Sequence, residues 1–82
     1  MADLKDAVEF IVKQLVKNPE EVEINSSNPD NDPNKLEISL KVNENDRGRL
    51  IGRRGKTINA IRTIIKAAAV KSQLKVNIQV ID

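Results

Sequence analysis

GRLIGRRGKTINAIRTIIKAA, residues 48–68, governs the reading of the chain. Gly52 and Gly55 enclose Arg53 and Arg54, Lys56 follows, and an apolar helical pattern begins at once. Glycine populates backbone conformations that other residues avoid, so two of them three positions apart mark a tight turn. Upstream, RGRLI reads as a short helix that ends at Gly52. Downstream, Ile58, Ile61, Ile65 and Ala68 recur at helical spacing over about Lys56–Lys71, with Lys56, Asn59, Thr63 and Lys66 opposite. The stretch is therefore a helix–turn–helix whose turn carries the densest positive charge in the protein. The free N–H groups and positive dipole end of the second helix face that turn. Steric access, donors, dipole and cations together suit the backbone of a polyanion.

Working outward, residues 35–42 (KLEISLKV) alternate, with Leu36, Ile38, Leu40 and Val42 on one face and Glu37, Ser39 and Lys41 on the other. Residues 74–81 alternate likewise through Leu74, Val76, Ile78 and Val80, after a break at Ser72-Gln73. EVEIN (21–25) predicts a third strand and the polar SSNPDNDPN (26–34) a hairpin connection. NEND (43–46) predicts a turn, with Asp46 as N-cap of the short helix. Leu4, Val8, Ile11 and Leu15 predict an N-terminal helix over 3–17, capped by Asp3 with Asp6 three positions on. Pro19 closes that helix. Phe10, off this stripe, is expected to pack at its flank.

The order is α-β-β-α-α-β. The first two strands can form an antiparallel hairpin, and the second and last are joined by a two-helix crossover that makes them parallel. The expected fold is a two-layer α+β domain, a three-stranded mixed sheet with three helices on one face. At 82 residues the chain is one domain, 1–82, with no internal repeat.

Composition narrows the function. With no Cys and no His there is no thiolate, zinc or imidazole chemistry. No catalytic constellation can be assembled, so the expectation is a non-enzyme with no cofactor and no metal. No apolar run is long enough for a membrane span, and the acidic start lacks a signal-peptide layout, so a cytoplasmic location is expected. Residues 1–46 hold 5 Lys/Arg against 11 Asp/Glu, and residues 47–82 hold 9 Lys/Arg against Asp82 alone. This asymmetry suits a polyanionic partner on one side of the molecule. Neither G-x-G-x-x-G nor a P-loop motif is present. The only aromatic is Phe10, which disfavours folds that stack bases on aromatic side chains. A GxxG clamp on about four backbone nucleotides needs no such stacking.

Ile51, Gly52, Gly55 and Ile58 match the I-G-x-x-G-x-x-I signature of KH domains. The chain resembles the type II arrangement of that family over nearly its whole length. NDRGRLIGRRGKTINAIR (45–62) and VKNPEEVEI (16–24) are similar to the small bacterial proteins made of one KH domain and little else. The resemblance implies single-stranded RNA binding in the cytoplasm, an RNA-chaperone or post-transcriptional regulatory role, and work with a larger KH-containing partner in cell elongation and envelope growth. It implies Gly52, Arg53, Arg54 and Gly55 as the clamp, with Lys56, Arg47 and Arg49 as nearby phosphate contacts.

Ile51 and Ile58 either touch bases in a groove or pack in the core. Arg62 either reaches that groove or lies over the apolar stripe. Ala60, Ile64, Ala67 and Val70 widen the apolar surface of the second helix; burial under the N-terminal helix is the first expectation, and a homodimer or heterodimer interface the alternative. A protein-docking module with KH shape is thus the second functional reading. Glu20, Glu21 and Glu23 are expected to be solvated rather than metal-binding.

Overall fold

The structure is a computed structural model that describes residues 4–81. The chain forms α1 (Leu4–Leu15), β1 (Glu23–Ser27), β2 (Lys35–Lys41), α2 (Glu44–Ile51), α3 (Lys56–Val70) and β3 (Lys75–Val80), with single 3-10 turns at Pro19–Glu21, Pro29–Asn31 and Arg53–Gly55. The sheet order is β1-β2-β3, with β1 antiparallel to β2 and β2 parallel to β3. Register follows the alternation: Leu36 faces Val76, Ile38 faces Ile78 and Leu40 faces Val80. These apolar side chains share the helix-covered face. On the other face Gln79 donates through Nε2 to the Glu37 carboxylate at 3.0 Å. The α+β class and the α-β-β-α-α-β order are those expected.

The core joins Val8, Val12, Ile38, Leu40, Leu50, Ile58, Ile61, Ile65 and Ile78, all nearly free of solvent. Several details depart from the sequence reading. The buried line of α1 runs through Val8 and Val12 and continues to Val16 just past its end, while Leu4, Ile11 and Leu15 flank it half-buried. The helix packs against both α3 and β1, which widens its buried arc. The expected cap at Asp3 lies outside the described residues. Phe10 is 68% exposed rather than packed at the helix flank. β1 starts at Glu23 because Pro19 opens a 3-10 turn that absorbs Glu20 and Glu21; Glu21 is thus a turn residue that accepts from Asn43 Nδ2 at 2.7 Å. The 26–34 connection carries the last two residues of β1 and a turn in which Asp30 and Asn31 hold positive φ, tolerated best by these short polar side chains. In α3 the residue closing the buried line is Ala69, not Ala68, because four positions after Ile65 returns to the same face.

Asp46 is the largest departure. Asn43 is the N-cap of α2, its Oδ1 accepting from Asn45 N at 2.8 Å. Asp46 lies inside the helix and is 1% exposed. Its carboxylate accepts from Lys17 N at 3.1 Å, Asn18 N at 3.0 Å and Asn18 Nδ2 at 3.0 Å. It thus ties the end of α1 to the start of α2. Burial alone would raise its pKa, but the Lys17 and Asn18 hydrogen bonds and the charge of Arg49 outweigh burial and hold it below the ordinary Asp value.

Candidate nucleic-acid interface

The turn between α2 and α3 is built from unusual backbone. Gly52, Arg54 and Gly55 all have positive φ, at 78°, 56° and 75°. Gly52 also has ψ 174°, a combination open essentially to glycine alone. Gly52 N closes α2 on Gly48 O at 2.9 Å, and Gly55 N closes the turn on Gly52 O at 3.1 Å. Close approach of a neighbouring residue occurs at Gly52 and not at Gly55. A Cβ there would lie 2.8 Å from Thr57 N and nearer still to the Thr57 side chain. A Cβ on Gly55 would meet only Asn59 Nδ2, at an ordinary 3.5 Å.

The charges stand clear of this backbone. Arg49, Arg53, Arg54 and Lys56 are exposed, whereas Arg47 is half-buried and engaged within the fold. The ion pairs Lys13–Glu9 and Lys35–Asp30 lie away from the turn. α3 begins at Lys56 with no side chain capping it, and although the Lys56 N–H already donates to Arg53 O, the positive end of the helix dipole is presented at the same tip as the cations. Arg54 occupies left-handed backbone, which costs a non-glycine residue about 1 kcal/mol. A strained cation at an exposed tip is a pattern associated with ligand contact.

Beside the turn, Ile51 is half-buried and Ile58 is 4% exposed within the core. Arg62 donates from Nε to Ile78 O of β3 at 3.0 Å and from Nη1 to Asn59 Oδ1 at 2.8 Å. Its guanidinium therefore lies against the free edge of the sheet. Asn59 and Thr57 take part in this geometry and carried no signal in the sequence beyond Asn59 falling one turn after Gly55. Ala60, Ile64 and Ala67 are exposed, Ile64 by 58% and Val70 by 72%. This overturns the expected burial under α1, because α3 turns its 58/61/65/69 face inward and leaves this surface outward. A cavity of about 320 Å³ lies at the other end of α2, among Glu20, Glu21, Glu23, Lys41, Val42 and Asn43. Its carboxylates repel a phosphate backbone. Among the described residues no group of three or more Asp or Glu is placed to hold a metal, and no helix is long and apolar enough to cross a membrane.

A GxxG turn between two helices, set beside the edge of a mixed three-stranded sheet in the order α-β-β-α-α-β, defines a KH domain. The family profile for the KhpA/KhpB KH domain matches residues 5–80, and the chain belongs to that family. It is 40% identical to RNA-binding protein KhpA of Clostridium perfringens over 95% of this chain and all of the relative. It is 35% identical to RNA-binding protein KhpA of Bacillus subtilis over 96% of this chain and 94% of the relative. The family is non-enzymatic. Among solved structures, the chain superimposes on part of Era, crystallised with MgGDPNP and nucleotides 1506–1542 of 16S ribosomal RNA. The TM-score is 0.56 at 18% identity, covering 95% of this chain and 30% of Era. That likeness is one of fold.

Proposed function

We propose that this chain acts as a single KH domain that binds single-stranded RNA without catalysis. Gly52 and Gly55 admit the sugar-phosphate backbone, and Arg53 and Arg54 supply countercharge at the tip. Lys56 and Arg49 add phosphate contacts, and Arg47 supports them from its half-buried position. Ile51, Ile58 and Arg62 form the groove in which bases lie, with Arg62 on the sheet edge and Ile58 as its buried floor. The observation that carries the reading is the exposed Arg53-Arg54 pair on a positive-φ turn at the uncapped start of α3. The KhpA relatives are named for RNA binding, which supports the same ligand. On this reading the protein works in the cytoplasm as an RNA chaperone or post-transcriptional regulator, linked to cell elongation and envelope homeostasis. The test is Arg53→Asp with Arg54→Asp, its fold checked by circular dichroism. Undiminished binding of a single-stranded oligoribonucleotide by the folded variant rejects the clamp.

The exposed Ala60, Ile64 and Ala67 surface favours a second reading, docking of a protein chain. Small residues allow close approach of a facing helix, and the occupant is a second copy or a larger KH-containing RNA-binding protein. One KH domain presents a small footprint, so pairing would supply avidity. Sedimentation of the wild type against Ile64→Lys tests it. Equal masses for both proteins, alone and with the partner, reject the interface.

A further inference from the structure

α2 is eight residues long and buries two of them, Asp46 and Leu50, one turn apart on the same face. Charged side chains are rarely buried, yet Asp46 is the one charged residue in the buried set among the described residues. An apolar side chain would fill the site without desolvating a charge. The carboxylate does what an apolar group cannot: it gathers Lys17 N, Asn18 N and Asn18 Nδ2 from the chain just beyond α1. α1 packs on α3, and α2 packs on α3 as well. The three helices therefore form a closed triangle, with the Gly52–Gly55 turn at the α2–α3 corner and Asp46 at the α1–α2 corner. Leu50 is the pivot between these corners. It lies four residues from Asp46, about 6 Å along the axis, and two residues from Gly52, about 3 Å. A shift of about 1 Å at Asp46 thus swings Gly52 by about 0.5 Å, which is the tolerance within which a binding constellation has to be held.

We infer that Asp46 is a positioning residue for RNA binding: through Lys17 and Asn18 it sets the angle at which α2 delivers the Gly52–Gly55 turn, although it is buried where no ligand reaches it. The inference rests on the RNA reading above. The sign of the effect separates this role from simple electrostatics. Arg49 lies three residues beyond Asp46 on α2, near enough for its charge to act on the carboxylate. A negative charge beside a phosphate-binding cation weakens the attraction for a polyanion, so on charge alone Asp46→Asn strengthens RNA binding. Positioning acts in the opposite direction. An amide brings one acceptor oxygen and an NH2 donor to a site that already holds three donors. The tie to Asn18 is then broken, and α2 is free to tilt about Leu50. Asn18→Ala removes one of the three donors with no change of charge, and its effect has the same direction and a smaller size.

The experiment measures the affinity of the wild type, Asp46→Asn and Asn18→Ala for one single-stranded oligoribonucleotide at fixed salt, at a temperature where circular dichroism finds each protein folded. Asp46→Asn is expected to bind about 3- to 30-fold more weakly, the range for residues that act on a site without touching its ligand. Asn18→Ala is expected to lose less, and the double variant to lose less than the two single losses combined. In 1H–15N NMR spectra of the free protein, the Gly52 and Gly55 amide signals are expected to move in Asn18→Ala. Ile38→Val, in the central strand and 0% exposed in the wild type, is expected to lower stability and leave affinity unchanged. Unchanged or tighter binding by folded Asp46→Asn overturns the positioning role and leaves the clamp standing. If that variant does not fold, Asn18→Ala decides, and wild-type affinity or unmoved Gly52 and Gly55 signals there overturn it. An equal loss in Ile38→Val and Asn18→Ala overturns it too, since general destabilisation would then suffice. If the wild type binds no RNA, the RNA reading itself fails and the positioning role with it.

Discussion

Gly52→Ala and Gly55→Ala look equivalent in sequence and should differ sharply in effect. At Gly55 the backbone is ordinary left-handed, φ 75° and ψ 14°, and the new methyl meets only the end of Asn59. The cost is that of placing alanine in left-handed backbone, about 1 kcal/mol. At Gly52 the φ 78°, ψ 174° conformation is nearly closed to side chains and costs up to about 3 kcal/mol alone. The methyl also meets Thr57 N at 2.8 Å, and that atom begins the second residue of α3 and cannot swing aside. For a domain of this size 1 kcal/mol lowers Tm by roughly 4–8 °C. Gly55→Ala should thus lose several degrees, and Gly52→Ala about 12 °C or more. Thermal and urea denaturation followed by circular dichroism measure both. Thr57→Ala in the Gly52→Ala background should restore only part of the loss, because the backbone nitrogen remains. A Gly55→Ala loss equal to or greater than that of Gly52→Ala would refute the assignment of close approach to Gly52.

RNA affinity should fall with salt at a slope of about −3, the value for four neutralised phosphates on a single strand, matching exposed Arg49, Arg53, Arg54 and Lys56; each one replaced by Gln should flatten the slope by about 0.7. Asp46 should shape the acid limb of stability. Its native pKa is lowered, so its contribution is complete above the unfolded value of about 4 and is lost as pH falls through the native value. Urea midpoints from pH 7 to 2 should fall more steeply below pH 4 in the wild type than in Asp46→Asn, and parallel curves would contradict this. Ile65→Ala, at a site 2% exposed, should cost roughly 2–5 kcal/mol. Phe10→Gln should stay within about 0.5 kcal/mol of the wild type in the same assay.

The sheet and the basic turn could be read from sequence because both rest on short-range patterns. Even-numbered apolar residues in 36–42 and 74–80 define one buried face, and parallel pairing follows from the two-helix connection between them. The two glycines with their arginines announce the turn by local chemistry. Properties that depend on distant partners were hidden. Asp46 looks like a helix cap in its own neighbourhood, and only Lys17 and Asn18, nearly thirty residues away, give it a buried role. Ala60, Ile64 and Ala67 look like core by residue type, and exposure depends on how α3 is rotated against the sheet. Gly52 and Gly55 cannot be told apart until Thr57 is located in space. Arg62 was ambiguous for the same reason, since the carbonyl it caps belongs to Ile78, sixteen residues on.

The tight seating of Gly52 on Thr57 also bears on the timing of recognition. Three of the four residues from 52 to 55 already hold the rare backbone angles that the turn requires, so little conformational freedom remains to be lost when a ligand arrives. Encounter is then paced by diffusion through the field of the basic residues, with no loop-ordering step. Oligonucleotides of different sequence should associate at similar rates and separate mainly by how long they stay.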